Sequence, residues 1–217
     1  MARVHDESQQ HPLSATRQDG VALTEHRIVE AATAMFVDHG YVGTSLRVIA
    51  EAAGVAPRTV SARFGSKAQL LNACIDASIS GGQQPAAPRD QDGVRSSREP
   101  ATVGTRIDYL VRAARAIMES SAALLAVGIQ AMAVEPEIAE MWRLATERTL
   151  SDFRAFAERL AADGFLPADV TVEGLTDLLW LLTGPRALVS LRNDRGWTPD
   201  QFADWLGSTL RAFLTLR

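Results

Sequence analysis

The side chains most suited to chemistry lie close together between Thr44 and Lys67. Within this segment four residues are basic and one is acidic, whereas the residues from Thr105 onward include 12 basic and 15 acidic side chains. The whole chain of 217 residues has a net charge of −4, which excludes a protein that is basic throughout. A local excess of positive charge beside hydroxyl groups is suited to phosphates and to the edges of bases. The four basic residues are Arg47, Arg58, Arg63 and Lys67.

Two short helices separated by a tight turn are predicted to position these side chains. A cap at Thr44 or Ser45 begins the first helix, and Gly54 ends it. Pro57 suits the first position of the second helix, which runs to about Phe64. This arrangement is typical of a helix-turn-helix, whose second helix enters the major groove of DNA. The side chains predicted to face the groove are Arg58, Thr59, Ser61, Ala62 and Arg63.

Two further helices are predicted to flank this pair. The first begins at a cap at Thr24 and ends near Gly40, and a capping box formed by Ser66 and Gln69 begins the other. The helix N-termini at Thr44–Ser45 and Ser66–Lys67 present backbone amides and positive dipole ends to phosphates.

The remainder of the chain is predicted to be helical, and no segment shows the alternation of a strand. Polar residues 1–20 are expected to form a disordered tail, followed by a DNA-binding domain over residues 21–80. Residues 81–104 are rich in glycine and proline and predict a linker or mobile loop. Residues 105–217 are expected to bind an effector and to dimerise. The predicted fold class is therefore all-α, with an N-terminal three-helix helix-turn-helix domain and a C-terminal helical domain.

An uncharged helix over residues 122–134 is predicted to enclose an apolar cavity with helices over 105–118 and 137–162. Gln130 is the only polar side chain in that uncharged segment, and a buried amide requires a partner. A backbone carbonyl or a water satisfies this amide as well as a ligand does, and the nearby aromatic residues suit a plain core equally. We expect an apolar or amphipathic ligand with few charged groups. The candidate ligand-binding residues are Tyr109, Met118, Gln130, Trp142, Phe153 and Trp180.

Two apolar helices near the end of the chain predict a dimer interface. One spans about residues 175–191 with an interruption at Gly184–Pro185, and the other begins at Pro199. One small domain has little interior for both, so we expect them to pack against their copies as a four-helix arrangement. The candidate interface residues are Leu178, Leu182, Phe202, Trp205, Leu206 and Phe213.

Several other classes of protein lack support in the sequence. We find no P-loop, no GxGxxG after a strand, no HExxH motif and no nucleophile–histidine pair, so we expect neither an enzyme nor a cofactor. The four histidines lack the spacing of metal ligands, and Cys74, the lone cysteine, is expected in the core rather than in redox chemistry. No apolar leader and no segment long enough to span a bilayer are evident, which predicts a cytoplasmic protein.

The run from Thr24 to Asp76 resembles the N-terminal domain of the TetR family of transcriptional repressors. The matching motifs are Gly40-Tyr41-x-x-Thr44-Ser45, Ile49-Ala50-x-x-Ala53-Gly54-Val55, Thr59 and Phe64-x-Ser66-Lys67.

The resemblance implies a homodimeric repressor that binds double-stranded operator DNA and is released by a small molecule. It further implies phosphate contacts from Thr44 and Lys67, and it places Arg47, Arg58 and Thr59 on the DNA face. Ser61 stands where members commonly have tyrosine. Two alternatives remain open, a helical interaction protein that does not bind DNA and a regulator without a small-molecule switch.

Overall fold

The computed structural model describes residues 12–81 and 102–215, and these residues form nine α-helices and no strand. This architecture confirms the all-α fold class. The helices are α1 (Pro12–Gly43), α2 (Leu46–Ala52), α3 (Pro57–Phe64), α4 (Lys67–Ile79), α5 (Val103–Ala131), α6 (Pro136–Ala162), α7 (Val172–Thr183), α8 (Pro185–Asn193) and α9 (Pro199–Thr215).

Helix α1 is longer than the sequence predicts. It begins at Pro12, so it crosses the predicted boundary between the tail and the DNA-binding domain, while residues 1–11 lie outside the described part of the chain. Thr24 is therefore not an N-cap, and its hydroxyl donates to the Gly20 carbonyl at 2.8 Å within the helix. Near its end α1 is kinked at Gly40, whose φ of 69° is accessible mainly to glycine.

The short helices follow their local signals. Ser45 caps α2 by accepting from the Val48 amide at 3.3 Å, and Pro57 occupies the first turn of α3. Ser66 caps α4 by accepting from the Gln69 amide at 3.0 Å. The Gln69 side chain bonds to α6 instead, so the predicted capping box is only half formed.

The prediction of two helices over residues 105–118 and 122–134 is wrong, because α5 is a single helix across both segments. The polar sequence Glu119-Ser120-Ser121 contains no residue that forces an end to a helix. Ser120 donates its hydroxyl to the Ala116 carbonyl at 2.8 Å, and Ser121 is buried. Helix α5 also begins inside the predicted linker, since Thr102 caps it; residues 82–101 lie outside the described part of the chain.

Two hydrophobic clusters share α5. The first joins α1–α4 to the last turns of α5, and Cys74 is buried in it as predicted; burial raises the pKa of this thiol to about 11. The second joins α5 to the end of α6 and to α7, α8 and α9. Phe202 and Leu206 are predicted from the sequence to lie in the dimer interface, but both are fully buried in the second cluster. Their side chains therefore have no surface left to contact a second copy. No helix in residues 12–81 or 102–215 is long and apolar enough to cross a bilayer.

Candidate nucleic-acid interface and ligand cavity

Helix α3 presents a basic, acid-free side to solvent. Its residue Val60 is fully buried against the other N-terminal helices, and this contact fixes which side of the helix points outward. Arg58, Ser61 and Arg63 are exposed, as is Ala62 beside them. Thr59 is only partly exposed. The structure therefore brings together most of the predicted groove-facing side chains, in an arrangement that suits hydrogen bonding to base edges.

The exposed arginines differ in their partners. Arg58 and Arg47 form no hydrogen bond or ion pair with the described residues, and both are exposed. The Nη1 atom of Arg63 lies 3.4 Å from Glu25 Oε1 of α1, and more than a third of each side chain is accessible to solvent. An exposed pair at this distance contributes little stability, so Arg63 can exchange the carboxylate for a phosphate.

Thr44 has a structural role that conflicts with its predicted phosphate contact. Only 3% of its surface is exposed, and its hydroxyl donates to the carbonyls of Met35 and Gly40 at 3.0 and 2.8 Å. Its amide donates to the Tyr41 carbonyl. Since carbonyls near the end of α1 accept from both of its donors, Thr44 has none free for DNA, whereas Ser45, the cap of α2, is exposed.

Lys67 also holds this turn. Its Nζ atom donates to the carbonyls of Tyr41 and Thr44 at 2.8 and 3.0 Å and lies 4.0 Å from the centre of the Tyr41 ring. Desolvation lowers the pKa of Lys67, although Glu135 opposes the shift. Because two of the three ammonium donors are engaged, at most one is left for a phosphate.

The first turn of α6 is bonded to the N-terminal helices. Glu137 accepts from the Ser66 hydroxyl at 2.8 Å and from the Gln69 side-chain amide at 2.9 Å. The Tyr41 hydroxyl donates to Glu135 at 3.0 Å, and burial together with this bond raises the pKa of Tyr41. Two hydrogen bonds to Glu137 therefore join the start of α4 to the start of α6.

A cavity of about 120 Å³ lies between α4 and α6, with α5 below it and the α7–α8 junction at one end. Trp142 and Trp180 line it, as the sequence predicts for a ligand site. The Trp142 ring packs directly against Gly128 of α5, where a Cβ atom would lie only 2.7 Å from the ring. The lining residues are Ala68, Leu71, Asn72, Ile75, Asp76, Ile79, Leu125, Ile138, Met141, Trp142, Ala145, Thr146, Thr149, Trp180 and Pro185.

The other predicted ligand-binding residues are not part of this lining. Gln130 is exposed on α5, so the expectation of a buried amide is wrong. Met118 is fully buried in the second hydrophobic cluster, and Tyr109 and Phe153 are partly buried away from the cavity. The sequence pattern predicts a cavity between α5 and α6 and does not include α4, which forms one wall of the cavity in the structure.

Sequence reasoning also missed the polar residues of the lining. Asn72 and Asp76 lie four residues apart on α4, and the Asn72 side-chain amide donates to Asp76 at 2.9 Å. A polar pair four residues apart lies beside its apolar neighbours Leu71 and Ile75 on one side of the helix. This spacing is the sequence signal that could have placed the pair in the cavity lining. The expectation of a lining without charged groups is therefore wrong.

An exposed basic helix on a helix-turn-helix, followed by a helical body with a cavity against α4, is the arrangement expected of a DNA-binding domain joined to a second helical domain. Residues 28–74 match the family model described as bacterial regulatory proteins, tetR family. This N-terminal domain therefore belongs to the TetR family, as the sequence motifs indicate.

A curated relative matches about a quarter of the chain. The HTH-type transcriptional regulatory protein RaaS of Mycobacterium tuberculosis is 54% identical over 55 residues, which are 25% of this chain and 26% of the relative. The alignment thus spans about a quarter of that protein's length.

Solved structures resemble the chain over most of its length. NalD, the secondary repressor of the MexAB-OprM multidrug efflux pump in Pseudomonas aeruginosa, aligns with a TM-score of 0.69 and 22% identity, over 89% of this chain and 97% of NalD. The transcriptional regulator FadR from Bacillus subtilis, in complex with stearoyl-CoA, aligns with a TM-score of 0.68 and 15% identity, over 88% and 97% of the two chains. At these identities the likeness establishes the fold.

Proposed function

We propose that the protein is a homodimeric transcriptional repressor that binds a two-fold symmetric operator and is released from it by a small molecule. The observation that carries this proposal is the exposed, acid-free basic side of α3, fixed outward by buried Val60. Such a protein acts on chromosomal DNA and therefore in the cytoplasm. Its role is regulatory rather than catalytic.

A dimer supplies two copies of α3 to one DNA duplex. Two-fold symmetry of the protein requires half-sites related by two-fold symmetry, about one helical turn or 34–36 Å apart. Leu178 and Leu182 on α7 and Trp205 and Phe213 on α9 remain partly accessible, which supports α7 and α9 as the contact between copies.

A ligand in the cavity can act on α3 through α4. Only Gly65 and Ser66 separate α3 from α4, and α4 forms one wall of the cavity. A ligand that fills the space between α4 and α6 shifts α4 and thereby alters the separation of the two α3 helices. The relatives support this proposal, since NalD is a repressor and FadR holds a bound acyl ligand within the same fold.

Arg58→Ala tests the DNA interface. Loss of a bidentate contact to guanine costs about 1–3 kcal/mol per half-site and relaxes the base preference at one position. The measurement is selection of bound duplexes from a random pool, followed by titration of the selected site. Arg112→Ala, at an exposed position on α5, is the matched control and should bind like the wild type. Unchanged affinity and preference in the Arg58 variant would contradict α3 as the reading helix.

A further inference from the structure

The cavity between α4 and α6 combines apolar walls with one carboxylate. Most of its lining is aliphatic or aromatic, with the indole rings of Trp142 and Trp180 among the largest surfaces. Asp76 is the only charged residue in that lining. Asp76 is exposed to solvent, and a ligand that covers it removes water from its carboxylate. That desolvation is costly unless the ligand brings a group of opposite charge.

Asp76 lacks such a partner among the described residues. One carboxylate oxygen accepts from Asn72, and the residues described here supply no hydrogen bond to the other. Arg148 on α6 is the nearby cation that lowers the pKa of Asp76, but it forms no ion pair with it, and desolvation raises this pKa overall. The charge therefore remains available to a ligand.

We propose that the cavity binds an organic cation, with its cationic nitrogen at Asp76 and its apolar part against Trp142 and Trp180. An indole face attracts a cation through its quadrupole, and the carboxylate adds direct charge attraction. A ligand with a negative charge at the same end would be repelled. This inference rests on the proposed function, since it names the chemical class of the effector.

Two probes of the same shape test the charge requirement. Benzyltrimethylammonium is an organic cation, and neopentylbenzene is its neutral carbon isostere. We expect the full-length protein to bind the cation about tenfold more tightly than the isostere, the size of effect typical of cation–π contact with partial desolvation. Calorimetric titration of each probe into the protein without DNA measures both affinities.

Asp76→Asn provides the variant, because it removes the charge while keeping the shape and an acceptor for Asn72. The preference for the cation should fall severalfold, to the part that the indole rings alone supply, whereas Asp177→Asn, at an exposed acid of α7 outside the lining, should retain the full preference. Equal binding of the two probes by the wild type would overturn the proposal even if the Asp76 variant fails to fold. An undiminished preference in a folded Asp76→Asn protein would overturn it as well.

The titration is independent of DNA binding, so the two proposals fail separately. A protein that binds the cation but no duplex would contradict the proposed regulator while keeping the cation site. A protein that binds its selected duplex but does not distinguish the probes would contradict only the cation site.

Discussion

Lys67, the only lysine in the chain, supports the turn between α1 and α2 in addition to any contact with DNA. Removing it takes away the lysine donor of the Thr44 carbonyl and leaves the Tyr41 carbonyl with the Thr44 amide alone. Lys67→Ala should therefore lower the free energy of unfolding by about 1–3 kcal/mol. It should also weaken binding to all duplex sequences alike, because a phosphate contact carries no sequence information. Chemical denaturation and DNA titration measure the two effects.

Arg47→Ala is the matched control for this prediction. Arg47 is exposed on the neighbouring α2 and bonds to no described residue, so its loss should weaken DNA binding without changing stability. If Lys67→Ala unfolds at the same denaturant concentration as the wild type, its bonds to the turn contribute no net stability.

The family motif indicates where Thr44 and Lys67 lie in the domain, but it does not predict their hydrogen-bond partners. The motif predicts that Thr44 and Lys67 both contact phosphates, and the structure joins the two residues through the Thr44 carbonyl. The motif did not show that the Thr44 hydroxyl donates to the carbonyls of Met35 and Gly40. These hydrogen bonds depend on the kink at Gly40 and on the path of the chain after it. Side-chain partners follow from such three-dimensional detail, which spacing along the chain does not encode.

At the scale of helices, the hydrogen bonds of Glu137 are the clearest candidate for coupling the position of α6 to that of α4. Glu137→Ala removes the acceptor of both Ser66 and Gln69. The cap of α4 should then open more often, so hydrogen exchange at the amides of residues 69–71 should accelerate about threefold to tenfold, as expected for the loss of roughly 1 kcal/mol of local stability. Mass spectrometry of peptides covering α4 measures this change.

Glu140→Ala serves as the control on the same helix. Glu140 pairs with Arg143 of α6 and does not reach α4, so exchange in α4 should remain at the wild-type rate. Equal exchange in both variants would contradict a coupling role for Glu137.

The helices that the sequence predicted well are those with strong local signals. Pro57, Pro185 and Pro199 mark first turns, and Ser45 and Ser66 are caps, so the bounds of the short helices follow from these residues. The sequence pattern predicts two helices in place of α5 because the polar triplet Glu119-Ser120-Ser121 resembles the end of a helix. In the structure the Ser120 hydroxyl is bonded within α5 and Ser121 is buried. The cavity was misplaced for a different reason. Its walls depend on α4 packing near α6, which is a contact between distant segments.

At the scale of the whole molecule, an exposed leucine on α7 is the sharpest test of assembly. Leu181 is 68% exposed and lies three residues from Leu178, on the same side of α7. A two-fold interface contains the residue twice, so Leu181→Lys should weaken dimerisation by at least roughly tenfold. Sedimentation over a range of protein concentrations measures the dissociation constant.

Leu23→Lys is the control, since Leu23 is 62% exposed on α1, far from α7 in sequence and outside the predicted interface. It should sediment like the wild type. Leu181 is a sharper test than Trp205, because Trp205 packs against Trp197 and Phe202 within one copy and its loss would disturb the fold as well. Wild-type sedimentation of the Leu181 variant would place the interface elsewhere.

The shared role of α5 has a consequence for anyone building hybrid regulators. Leu124, Val127 and Ala131 complete the interior of the N-terminal helices, and Glu137 holds the cap of α4. A fusion that joined residues 1–81 to the body of an unrelated protein would leave that interior open to water. A workable graft must carry its reading helix together with the last turns of α5 and the first turn of α6. The portable unit is therefore discontinuous in sequence, and it is larger than the motif that reveals the family.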